Sequence, residues 1–217
     1  MRLDWSQMMA AESPDPQNKL RRARNVLPML VLTCMVIIAA ALVVNVAFGS
    51  RPLLQTAIER APIFVQITYG TAIGAGLSAP VFAAVLLVPA LWRVRRFLLD
   101  FADNIKLDGF NPLWMSLCAG IGEEILFRGA IQPLLGLWWT GLIFALAHVR
   151  PPQWRSAPRN ALLFVLSVYG GGLVAGTVYL KFGLIAAIAM HVAWDLVALL
   201  LLRGAASRDK RLGVTPT

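Results

Sequence analysis

The chain has 217 residues, 58% of them hydrophobic and 14% charged, with a mean hydropathy of +0.68 and a formal net charge of +9. Soluble domains carry roughly 25% charged residues, so the composition excludes an ordinary water-soluble fold and points to a bilayer. The positive charge does not indicate nucleic acid: with six helices and a cytoplasmic N-terminus, 16 of the 20 Lys and Arg residues fall in cytoplasmic segments, as the positive-inside rule requires.

Residues 1–25 are polar, carry Pro14 and Pro16, and read as a cytoplasmic tail. No cleavable leader is evident: the apolar run that follows is too long for a signal-peptide core. Apolar runs lie at 26–48, 63–92, 111–126, 134–147, 161–180 and 182–202. A spanning helix needs about 17–25 residues, so the fold expected is all-α, a polytopic membrane bundle of about six transmembrane helices. The third and fourth runs are the shorter ones and carry unusual polar residues.

The first run has no charge, and Cys34 within it, like Cys118, reads as a buried free thiol. Residues 49–62 form an external loop limited by Pro52 and Pro62. The second run holds Gly70, Gly74 and Gly76, which permit close helix contact, and Pro80 and Pro89, which bend it. Residues 93–108 mix charges with apolar side chains and suit a helix in the cytoplasmic interface. Asn111 is the expected N-cap of the third run, with Pro112 at its first helical position. The chain thus divides into a tail (1–25), two spanning helices with an interfacial segment (26–111), a functional core (112–203) and a second tail (204–217). Gly170, Gly171 and Gly172, with Gly176 one turn further on, again suit tight packing.

Ionisable residues inside a membrane are costly and usually functional, at about 2.5–3.5 kcal/mol for a mid-membrane Asp. The third run contains Glu123 and Glu124, with Arg128 just beyond its end. Glu124 and Arg128, four apart, share a helix face, whereas Glu123 is rotated about 100° away. One carboxylate is therefore free to react while the other is held. His148 follows the fourth run, four residues after Phe144, and the topology puts it near the cytoplasmic end. His191 and Asp195, also four apart, lie in the last run.

Ser116, Cys118, Ser167 and Thr177 show no sequence link to a base, and there is neither a zinc-protease HExxH signature nor a phosphate-binding glycine loop. Carboxylates and imidazoles together can activate water, by general base catalysis or through a metal. The Glu and His set would also serve a proton relay in a transporter, but that class predicts inverted repeats, and none is seen.

Glu123-Glu124-x-x-x-Arg128, Phe144-x-x-x-His148 and His191-x-x-x-Asp195 resemble, in order, the three motifs of the CPBP intramembrane proteases, a family that includes CAAX prenyl endopeptidases and bacterial Abi or bacteriocin-immunity-type proteins. The resemblance covers about 112–203. It implies an all-helical fold whose active-site cavity lies inside the bundle, open to the cytosol. It makes Glu123 the base that activates water with help from His148, Glu124 and Arg128 the organisers of the site, and His191 and Asp195 the oxyanion region. Asp195 stands where the eukaryotic enzymes carry Asn, so it would need a proton or another role, such as orienting His191. Glu123, His148, His191 and Asp195 could hold a divalent metal such as zinc. The reading adopted is glutamate-activated water with no tightly held metal.

The expected partners are the lipid bilayer and a membrane protein or lipidated peptide as substrate. The short chain and compact loops look bacterial, which argues against a prenylated substrate and for the inner membrane, with both termini cytoplasmic. A non-catalytic immunity or regulatory scaffold on the same fold is the competing reading. Intact motifs count against it.

Overall fold

The computed structural model describes residues 26–49, 60–105, 107–148 and 158–211. The first expected tail, the external loop and the basic segment after His148 lie wholly or largely outside them, as does the end of the second tail, 212–217. Among the described residues every element is helical and there is no strand. In lipid, backbone N–H and C=O groups must find partners within the chain, and a helix does this locally.

The elements are α1 (Val26–Phe48), α2 (Ile63–Leu87), a 3-10 turn (Pro89–Leu91), α3 (Trp92–Ile105), α4 (Asn111–Glu124) continuing through a π-helical stretch (Ile125–Ile131), α5 (Gln132–Ala147), α6 (Pro158–Phe182) and α7 (Leu184–Arg211). The outward faces are apolar, with Val46 at 86%, Phe48 at 72% and Leu87 at 75% exposure. Such a surface is stable only against hydrocarbon. The molecule is an integral membrane protein.

Among the described residues five helical stretches are long and apolar enough to cross a membrane, and the third, Asn111–Ala147, runs to 37 residues. At 1.5 Å per residue a straight helix of that length would reach about 55 Å, nearly twice the hydrocarbon thickness. It is not straight. Gly136 has φ 77° and ψ 175°, a conformation that side-chain-bearing residues rarely adopt, and the chain folds back there. Two contacts prove the reversal. Phe127, nine residues before Gly136, stacks edge-on with Phe144, eight residues after it, at 5.0 Å between ring centres. Glu123, 13 before, meets His148, 12 after, at 3.4 Å. The third and fourth apolar runs are thus two arms of one hairpin.

Several local expectations are corrected. The second run does not extend to Trp92: α2 ends at Leu87, because Pro89 cannot continue it and opens a 3-10 turn instead. The N-cap of α4 is Phe110, not Asn111, since Pro112 admits the helix one residue earlier and no side-chain cap forms. Gly76, Gly170 and Gly171 face open space rather than a packed neighbour. The last helix continues to Arg211, past the expected start of the tail at 204.

Gly70 and Gly74 behave as expected. A Cβ on either would run into the backbone carbonyl of Ala186 or Met190 on α7, so α2 and α7 pack backbone to backbone. Two polar residues in α2 finish this seam. Gln66 donates to the Ala61 carbonyl and accepts from the Ala186 N–H at 3.2 Å, satisfying one of the free amides at the start of α7. Ser78 donates to the Trp194 carbonyl at 2.7 Å, next to Asp195. On the other side Gly120 comes against Val192 of α7, and Gly122 against Cys34 of α1.

Gly74→Ala should lower stability by about 1–3 kcal/mol through overpacking, whereas Gly76→Ala should stay within about 0.5 kcal/mol of wild type or better it. Thermal melts of the two variants in one detergent check this.

Candidate active site

Glu123 and Glu124 stand at the junction of α4 and the π-helical stretch. A π turn inserts an extra residue into the helical ladder, and such turns are frequent at functional sites. Glu124 is fully buried and Arg128 is 1% exposed. Arg128 Nη1 donates to Glu124 Oε1 at 3.1 Å, and Nη2 donates to the Gly172 carbonyl of α6 at 3.0 Å. The guanidinium also lies over the Phe144 ring, 4.4 Å from its centre, an arrangement that favours a cation. One turn on, Gln132 Nε2 donates to the Gly176 carbonyl at 3.1 Å. The two glycines leave no Cβ to shield those carbonyls, which is what their spacing serves.

His191 reaches across from α7, with Nδ1 at 2.7 Å from Glu124 Oε1 and Nε2 at 3.5 Å from Asp195 Oδ2. A carboxylate oxygen can only accept, so Nδ1 carries a hydrogen. Glu124 thus holds Arg128, as expected, and His191 as well, and Glu123 faces His148.

His148 caps the C-terminal end of α5. The fold-back at Gly136 brings it level with Glu123. Its Nδ1 lies 2.7 Å from the Phe144 carbonyl, which can only accept, so Nδ1 bears the hydrogen and Nε2 is turned to Glu123. The Nε2–Oε2 separation is 3.4 Å, within ion-pair range but outside hydrogen-bond geometry. Glu123 Oε2 is buried without a hydrogen-bond partner among the described residues. Phe144 packs against both imidazoles, at 4.5 Å from His148 and 6.3 Å from His191.

All six residues picked out in the sequence therefore form one cluster, linked pair by pair. Exposure grades it: Glu124 and Arg128 are sealed, His191 is 14% exposed, and Glu123, His148 and Asp195 are 20%, 32% and 31% exposed. Glu124 and Arg128 are thus closed to any molecule from outside, and the other four are open to one. Among the described residues no three His, Cys, Asp or Glu side chains are arranged to hold a metal ion. All four imidazole nitrogens already face oxygens of the protein, so the donor set does not fit a metal site as it stands.

Sequence reasoning passed over Gln66, Ser78, Gln132 and Thr140, all buried. Gln66, Ser78 and Thr140 are polar residues inside apolar runs and Gln132 lies just before one, and that was the signal available.

Arg128→Met should destabilise the protein by about 3–5 kcal/mol, because it strands a buried carboxylate, and adding Glu124→Met should recover much of the loss. Denaturant melts in detergent report both.

Residues 108–197 match the family model for type II CAAX prenyl endopeptidase Rce1-like proteins. No curated protein and no solved structure gives a significant match. The matched segment contains the hairpin and all three motif pairs, and over it the chain is similar to the CPBP family of intramembrane proteases.

Proposed function

We propose that the protein cleaves a peptide bond of a membrane-associated substrate, a membrane protein or a lipidated peptide, using water activated by Glu123 and His148. One observation carries this reading: a partly open carboxylate, one oxygen buried without a hydrogen-bond partner among the described residues, is paired with an imidazole whose Nε2 is turned toward it. Water bound to Glu123 adds to the substrate carbonyl carbon, and its proton passes to the Glu123–His148 pair. The carbonyl oxygen takes up negative charge, the C–N bond breaks, and the pair returns the proton to the departing amine nitrogen. No step passes through a metal.

His191 is the donor toward the developing oxyanion. Its Nδ1–H is committed to Glu124, and its Nε2 has only a long contact with Asp195. A proton shared between Nε2 and Asp195 makes that contact attractive and supplies an N–H to the substrate oxygen. This gives Asp195 the role of orienting and charging the imidazole. The site would work in a bacterial inner membrane with both chain termini in the cytoplasm.

Purified Glu123→Gln should lose about 10²–10⁴-fold in cleavage rate on membrane-anchored peptides presented in detergent or nanodiscs, with an unchanged melting curve. His191→Ala should lose about 10²–10³-fold, the usual cost of one oxyanion donor. Activity of the wild type should persist in chelator. Equal rates for wild type and Glu123→Gln would defeat the mechanism, and loss on chelation with recovery on adding zinc would defeat its metal-free form.

A further inference from the structure

Four helix hydroxyls of this protein share one arrangement, and Thr140 departs from it. Thr33, Thr68, Ser116 and Thr177 each donate to the carbonyl four residues earlier, at 2.8–2.9 Å. For Thr140 that residue is Gly136, whose non-helical backbone turns the chain. Thr140 is 1% exposed, and its Oγ1 is buried with no hydrogen-bond partner among the described residues. Gln132, four residues before the fold-back as Thr140 is four after it, is 4% exposed. Its Nε2 is bonded to Gly176, but its Oε1 has no such partner either. The register set by Phe127–Phe144 and Glu123–His148 places these two residues at adjacent levels of the hairpin. One turn further along the same arm is Arg128 Nε, and beyond it Glu124 Oε2, both buried and similarly unpartnered.

Leaving a buried polar atom unpaired costs about 1–3 kcal/mol, and four on one hairpin are hard to reconcile with a stable fold. Protein interiors meet such demands with ordered water, which needs two to four polar partners. Thr140 can donate and accept, Gln132 Oε1 accepts, Arg128 Nε donates and Glu124 Oε2 accepts. Water can therefore satisfy each of them, and no residue lacks the complementary role.

We propose that the hairpin holds buried water from the Thr140–Gln132 level down to the Arg128–Glu124 pair. This is a hydrated core behind the sealed side of the catalytic cluster, set apart from the Glu123–His148 face where the substrate water acts. Its occupants are water alone, recognised by four polar atoms in apolar surroundings. The proposal does not depend on the protease reading, since it concerns only how the buried atoms are satisfied.

X-ray hydroxyl-radical footprinting of the full-length protein in nanodiscs tests it, because radiolysis of bound water labels adjacent side chains. Leu137 is the reporter, as it meets Gly176 beside Gln132, and Leu166, exposed on the outward surface, is the lipid-facing control. We expect Leu137 to be labelled several-fold above Leu166 in wild type and in Thr140→Ser, which keeps the hydroxyl, and to fall toward the control in Thr140→Val. We also expect Thr140→Val to melt below wild type. Equal labelling of Leu137 and Leu166 in the wild type would overturn the proposal. So would a Thr140→Val protein that melts higher, because removing a hydroxyl that nothing satisfies should stabilise the fold.

Discussion

Glu124 has no access to solvent, and its Oε1 takes a hydrogen bond from Arg128 on its own arm and another from His191 on α7. Arg128 passes the connection to the Gly172 carbonyl of α6. One buried carboxylate oxygen thus fixes three segments that are distant in sequence, and the other polar residues of the cluster hang from the frame it makes. A buried ion pair seldom adds net stability over apolar side chains of similar size. Its value here is positional, because a guanidinium and an imidazole can share one oxygen only in a narrow set of helix placements.

The hairpin turns that frame into a site. Without the reversal at Gly136, Glu123 and His148 would stand on one helix with 24 residues between them, about 37 Å apart at 1.5 Å per residue. With it they are neighbours, and Phe144 becomes the common wall on which Arg128 and both imidazoles rest. Trp138 and Trp139, both exposed just after the fold, are of the type that gathers where bilayer meets water. From Trp139 to His148 is nine residues, about 14 Å of helix, so the Glu123–His148 pair lies well below the level of the two tryptophans.

The helix-bundle fold was legible in the apolar runs, and the six site residues were legible because each broke one of those runs. Two things were not. Helical spacing relates residues on a single helix, so it paired Glu124 with Arg128 and His191 with Asp195. It had no means of showing that His191 would cross from α7 to Glu124. The level of His148 depended on Gly136, one glycine among 17, whose unusual dihedrals are a property of the folded backbone. The same limit hid Thr140: its loss of a helical carbonyl partner follows from the turn, and no pattern of residue types announces it.

The π-helical stretch has an evolutionary corollary. Its additional residue lies between the Glu pair and the fold at Gly136, so the two ends of the arm are phased through it. Losing that one residue would restore regular helix with its two ends nearly in phase, because the π turn is what absorbs it. Losing a second would rotate everything that follows by about 100°, swinging Gln132 away from Gly176 and the second arm away from α6. Homologous chains can therefore drop the π turn with its single extra residue, but an alignment that opens a two-residue gap between the Glu pair and the histidine motif would be joining chains that cannot share this hairpin.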